Sequence, residues 1–122
     1  MNSKLLVTNL SRVKASLFGG LRTRRLPDGK LLGDISILHE HLPPRTCLPR
    51  IHHNRTAEFV YCLAGTMTAI LGRRKYRVNA GDILLIPKKV RHQFKTHSKA
   101  CEAISIFAPA LIINKSADIH KS

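Results

Sequence analysis

The chain has 122 residues, with 21 Lys and Arg against 7 Asp and Glu, a formal net charge of +14. A chain of this length forms one domain with a core of its own, and its 43% hydrophobic content argues against disorder despite the charge. No second catalytic domain fits, an aromatic share of 5% without Trp excludes a broad stacking platform for single-stranded nucleic acid, and no apolar run is long enough to span a bilayer.

Three cysteines, Cys47, Cys62 and Cys101, lack CxxC or CxxH spacing, so neither a disulfide framework nor a zinc knuckle is expected. A reducing, cytoplasmic setting is the simplest reading. Residues 1–27 carry Arg12, Lys14, Arg22, Arg24 and Arg25 without a carboxylate, a composition shared with organellar transit peptides.

Residues 1–30 read as an N-terminal arm or short helix, because Leu10, Val13, Leu17 and Leu21 follow helical spacing until Gly19-Gly20 interrupts it. A turn is expected at Pro27-Asp28-Gly29. From there short apolar runs alternate with turn signals, which predicts an all-β domain over 31–110 and a C-terminal tail over 111–122. The expected strands lie near 33–42, 47–53, 57–64, 66–71, 74–79, 82–86, 91–96 and 102–108. In the strand after Ala57, Glu58, Val60 and Cys62 share one face, and Phe59, Tyr61 and Leu63 share the other. Both faces are largely apolar, so each needs a cover. Cys62 reads as a small inward hydrophobe rather than a thiolate ligand or nucleophile, and Tyr61 as packing.

Glu58 is the anomaly of that strand. A carboxylate among apolar residues must be paired, hydrogen-bonded, protonated or bound to metal. His52 and His53 precede it and His92 follows it, and imidazoles with one carboxylate suit a divalent transition metal. The stretch His53-Asn-Arg-Thr-Ala-Glu58-Phe-Val-Tyr-Cys-Leu-Ala-Gly65 resembles the first cupin motif, in which an H-x-H pair precedes Glu and then Gly. Gly81-x5-Pro87-x-Lys89-x2-His92 resembles the second, with Lys89 in place of a Gly and Thr96 in place of an Asn.

The resemblance implies a double-stranded β-helix, the jelly-roll or cupin barrel of the RmlC-like kind, which often forms a homodimer. It also implies a barrel site for a metal such as iron, manganese, nickel or zinc and a small molecule. Either counting register leaves one histidine in the first pair, Ile51 and His53 or His52 and Asn54. The expected metal ligands are His53, Glu58 and His92, with His52 joining only if a β-bulge turns it inward. A metal-dependent enzyme and a metal-free ligand-binding or sensor cupin both remain open.

Nine basic residues lie between Arg73 and Lys99, against one acid, Asp82. Lys88, Lys89 and Arg91 are expected to form a positive rim that attracts an anionic small molecule. Nonspecific nucleic-acid binding follows from charge alone, but no nucleic-acid-binding motif accompanies it. His39-Glu40-His41 reads as a strand face toward solvent or a partner subunit.

Overall fold

The computed structural model describes residues 7–26, 32–111 and 117–122, so the turn expected at Pro27-Asp28-Gly29 lies outside the described residues. Ten strands are described: β1 (Ala15–Phe18), β2 (Leu21–Arg25), β3 (Ser36–Leu42), β4 (Ile51–His52), β5 (Ala57–Leu71), β6 (Arg74–Asn79), β7 (Ile83–Ile86), β8 (His92–Lys95), β9 (Cys101–Ala108) and β10 (His120–Lys121). Every pairing among them is antiparallel, in the order β1-β2-β3-β9-β5-β8-β4-β10, with β6 and β7 also on β5. The architecture is an all-β jelly roll. No helix among the described residues is long and apolar enough to cross a membrane.

The strand β5 organises the barrel. Its first half pairs with β9 and β7, its second half with β6 and β8, so one strand belongs to both sheets. The crossing is made by a register shift between Cys62 and Ala64, followed by Gly65 at φ +78°. A Cβ at Gly65 would lie 1.9 Å from the carbonyl oxygen of Ala100, so only glycine fits this corner. The sequence expectation of separate strands at 57–64 and 66–71 is therefore replaced by one bent strand.

The helical spacing near the N-terminus is not realised. Beyond a single 3-10 turn at Leu10–Arg12, residues 15–25 form the β1–β2 hairpin, and Gly19-Gly20 is its two-residue turn, with Gly19 at φ +59°. β2 then pairs with β3, so the hairpin extends one sheet. Leu21 joins the core that includes Leu42, Leu48, Val60, Cys62, Met67, Val78 and Ile86. A smaller apolar cluster of Leu38, Phe107 and Leu111 is packed against Ala117 and Ile119. The last described residues thus close one side of the barrel.

Candidate functional site

Alternation along the strands directs the chemistry inward. Glu58, Val60 and Cys62 of β5 are all buried, as the face assignment requires, while Tyr61 and Leu63 lie on the outer side. His53 follows β4 and His92 opens β8, and both reach the inner end of Glu58. Exposures of 3% for His53, 5% for Glu58 and 2% for His92 leave the three almost without solvent. His53 Nε2 lies 3.5 Å and His92 Nε2 3.6 Å from the same oxygen, Glu58 Oε1. One donor atom from each residue falls within 4.8 Å of the others.

The other nitrogen of each ring fixes its orientation. His53 Nδ1 donates to the carbonyl of Asp118 at 2.6 Å, and His92 Nδ1 to that of Val90 at 3.0 Å. Carbonyl oxygens only accept, so both neutral rings carry the proton on Nδ1 and present the Nε2 lone pair to the cluster. Burial by itself would lower the pKa of His53, but Glu58 and the Asp118 carbonyl outweigh it and raise the value. At His92 burial prevails and lowers it. The pair of imidazoles is electrostatically unequal.

Ile51 and His53 both line the cavity beside this cluster, whereas His52, between them, faces outward. There His52 Nδ1 meets Ser122 Oγ at 2.6 Å and its ring stacks on His120 at 5.2 Å. The expectation that His52 could join through a bulge is therefore corrected. The inward place two residues before His53 belongs to an isoleucine.

Lys89 adopts φ +72°, so it keeps the left-handed conformation that a glycine would supply, and its N–H donates to the His53 carbonyl. That bond ties the turn before His92 to the segment carrying His53. Thr96 is buried, with Oγ1 accepting from Thr46 N and donating to the Pro43 carbonyl. Lys88, Lys89 and Arg91 are exposed, and none of them lines the cavity. Among the described residues its walls include Phe18, Leu21, Leu48, Phe94 and Phe107, with His53, Glu58, His92 and Glu40 as the only polar side chains.

Three contributors escaped the sequence reading. Glu40 points inward between Leu38 and Leu42, and Ser105 Oγ donates to Glu40 Oε1 and lies 3.3 Å from Glu58 Oε2. Burial first, and the charge of Glu58 second, push the Glu40 carboxyl up to about 8. The alternation Leu38-x-Glu40-x-Leu42 was the available signal, and the flanking histidines obscured it. His39, expected to face solvent or a partner, is instead buried on the opposite face, with Nε2 3.3 Å from Glu102 Oε2. Asp118, the third contributor, supports His53 through its carbonyl. Its carboxylate accepts from the N–H groups of Asn54 and Arg55.

The inner thiols take no part in the cluster. Cys62 and Cys101 are buried with their sulfurs 3.6 Å apart, and burial followed by the neighbouring Cys62 pushes the Cys101 thiol up to about 12.

The profile of the family described as "Cupin domain" matches residues 38–107. The polyketide cyclase RemF from Streptomyces resistomycificus is similar at 20% identity and a TM-score of 0.78, over 97% of this chain and 85% of that one. Pac13 from Streptomyces, a nucleoside dehydratase, is similar at 13% identity and a TM-score of 0.79, over 98% and 92%. An ectoine synthase from P. lautus is similar at 18% identity and a TM-score of 0.75, over 88% and 80%. No curated protein matches the chain by sequence. At these identities the likenesses speak to the fold.

Proposed function

The chain belongs to the cupin family, and from that premise we propose that its barrel holds a divalent transition metal on His53, Glu58 and His92 and receives a small molecule beside it. The observation that carries the reading is the convergence of two Nε2 lone pairs and one carboxylate oxygen, with both Nδ1 atoms already tied to backbone carbonyls. Metal-ligating histidines need this arrangement, because the second nitrogen fixes the tautomer and the aim of the first. Two histidines and a carboxylate suit iron, manganese, nickel or zinc and leave coordination positions open. When bound, such an ion supplies a Lewis acid and lowers the pKa of coordinated water.

The chain's own residues do the remainder. Phe18, Leu21, Leu48, Phe94 and Phe107 keep water from the guest, and Glu58 neutralises part of the ion's charge. Among the described residues the lining contains no Lys or Arg, which favours an uncharged, mostly apolar guest over the anionic one suggested by the basic segment. Solved relatives of this fold include a polyketide cyclase, a nucleoside dehydratase and an ectoine synthase, which supports small-molecule chemistry without choosing a reaction.

The test is elemental analysis of protein purified without a metal-chelating tag. Near-stoichiometric iron, manganese, nickel or zinc is expected, with loss in His53→Ala, Glu58→Ala and His92→Ala. Metal retained by all three variants would overturn the ligand assignment. One observation favours a second reading, a metal-free ligand-binding cupin: Ile51 faces the cavity two residues before His53. That reading predicts folded protein without metal that gains none on dialysis against zinc or manganese.

We also propose a homodimer through the outer face of β5 and β7. Tyr61, Leu63, Ile83 and Leu85 are exposed there, Leu85 at 73%, and such contiguous apolar surface is characteristic of interfaces.

A further inference from the structure

The outer faces of the two sheets differ in kind. On the sheet that β9 and β7 form with the first half of β5, exposed apolar side chains such as Ile83 and Leu85 dominate. The sheet in which β6 and β8 flank the second half of β5 is cationic on its outer side. Val78 of β6 is buried and pairs with Met67 in the core, so Lys75 and Arg77, of opposite parity, point outward. Thr68 of β5 is registered with Arg77 on one side and Lys95 on the other, which puts all three on one face. A bridge from Lys95 to Cys47 continues the row, and Arg45 shares a cleft with Cys47, Lys95 and His97. The loops are tied to the strands there: Thr68 Oγ1 lies 3.0 Å from His97 Nε2, and the Arg45 N–H donates to the His97 carbonyl.

Nothing within the fold answers this charge. Every ion pair among the described residues is made by a histidine, so no described Lys or Arg is paired with a carboxylate. The acids stand elsewhere. Glu40 and Glu58 line the barrel cavity, Asp118 is buried, and Glu102 meets His39 on the other sheet. Asp34 lies against the Ala110 N–H, and Asp82, in the turn after β6, accepts from the Asn79 N–H.

The arrangement of the cations says what they fit. Strand geometry sets Lys75 and Arg77 about 7 Å apart along β6, and Arg77 and Lys95, with one strand between them, about 10 Å apart. A nucleic-acid duplex carries one backbone charge per roughly 1.7 Å of its axis, so a patch of that width meets about six phosphates. The face offers little else. No aromatic side chain of β6, β5 or β8 points outward from this sheet, because Tyr76 has the parity of Val78 and Phe94 that of His92. Without aromatic platforms, stacking on the splayed bases of a single strand is not available, and neither is anchoring in a bilayer.

We infer that the outer face of β6, β5 and β8 binds the phosphodiester backbone of duplex nucleic acid, without reading its sequence, through Arg45, Lys75, Arg77 and Lys95. The guanidinium forks of Arg45 and Arg77 suit pairs of phosphate oxygens, and the two lysines act as point charges. Phosphate contacts position a protein and carry no base information. The barrel interior takes no part, so the metal and guest readings of that cavity stand or fall separately.

The experiment uses the full natural chain and fluorescence anisotropy of labelled DNA and RNA duplexes of one arbitrary sequence. A DNA single strand of that sequence and phosphatidylserine vesicles are compared with them. Four neutralised phosphates give a log-log salt slope of about −3.6, so affinity for the duplex should fall about 150-fold between about 50 and about 200 mM salt. Binding of either duplex with this slope supports the inference, and the two arms tell which backbone is preferred. Replacing Arg45, Lys75, Arg77 and Lys95 together with Gln should flatten the slope by about 3.6. Replacing Lys14, Arg22, Arg24 and Arg25 of the hairpin segment with Gln removes the same charge and should change the slope by less than about 1. If the first variant does not fold, amide shifts of the labelled natural chain locate the contact: duplex should move the signals of β6, β8, Arg45 and His97 and leave those of β1 and β2.

Failure to bind either duplex, equal flattening by the two fourfold variants, or shifts centred on the hairpin would each overturn the inference. Tighter binding of the single strand or of the vesicles than of both duplexes would overturn it as well.

Discussion

Asp118 reaches across 65 residues of chain to His53, its carbonyl oxygen 2.6 Å from the imidazole Nδ1. The same residue uses its carboxylate to accept the N–H groups of Asn54 and Arg55 at 2.9 and 2.7 Å and the ring of His120 at 2.9 Å. One residue of the C-terminal segment thus fixes both the loop after β4 and the ring that loop carries.

Replacing Asp118 with Ala keeps the carbonyl and removes the carboxylate, and we expect a loss of about 1–3 kcal/mol at pH 6 in urea denaturation. The acid side of the profile should change as well. Burial would raise the Asp118 carboxyl, but the N–H groups of Arg55 and Asn54 and the His120 ring outweigh it and hold it at about 2, below its ordinary 3.8. A depressed carboxyl stabilises the fold above the unfolded value, and that contribution disappears as pH falls from about 4 toward 2. The variant and the natural chain should therefore converge in acid. An undiminished gap at pH 2 would contradict this.

For Glu40 the sign is opposite. Its carboxyl stands at about 8 in the fold against an ordinary 4.5, so between these values the folded chain keeps a proton that the unfolded chain has released. Stability then falls as pH rises through that window. Glu40→Gln cannot ionise, and we expect it to be more stable than the natural chain at pH 8 by about 1–3 kcal/mol and closer to it at pH 5. Parallel pH profiles of the melting temperature would refute the assignment.

Two positive-φ positions provide a matched pair of backbone tests. Lys89 carries a side chain at φ +72°, where a left-handed conformation costs about 1–2 kcal/mol and glycine's extra freedom in the unfolded chain returns part of that. Lys89→Gly should stabilise the fold by about 0.5–1 kcal/mol. Gly65→Ala should do the reverse by about 3 kcal/mol or more, because its methyl would overlap the Ala100 carbonyl. Chemical denaturation of both variants measures the pair, and destabilisation by Lys89→Gly would show that the side chain contributes something its exposure does not reveal.

The outer face of β5 and β7 gives the fourth expectation. If the chain pairs through Tyr61, Leu63, Ile83 and Leu85, then Leu85→Lys should convert a dimer to a folded monomer in light scattering, because an unpaired charge would be buried at the interface. A monomeric natural chain would remove the proposal outright.

Glu58 and His92 stand out in the sequence itself, since a lone carboxylate in an apolar strand and a histidine after a Pro turn each break the local pattern. His53 was legible once Ile51 was given the same inward parity. Asp118 was not, because its hold on His53 comes from a backbone carbonyl, which every residue possesses, at the far end of the chain. The N-terminal hairpin was misread for a related reason. Leu10, Val13, Leu17 and Leu21 have helical spacing, yet pairing with β3 and burial of Leu21 override that periodicity. Lys89 shows the limit of residue-type reasoning at a turn, where the surrounding bonds impose a conformation the side chain disfavours.

The strand that belongs to both sheets has a consequence for how the molecule breathes. Among the described residues, β5 is held along its length by four neighbours, whereas β10 meets β4 through only two residue pairs and β1 borders β2 alone. Local opening therefore begins at the two ends of the strand order, and amide exchange should be fastest at His120 and Lys121 and slowest along β5. Both ends border the cavity, through Phe18 just before the hairpin turn and Ile119 just before β10. If the chamber takes a guest as proposed, these ends are where it would enter, while Glu58 sits on the strand expected to open last.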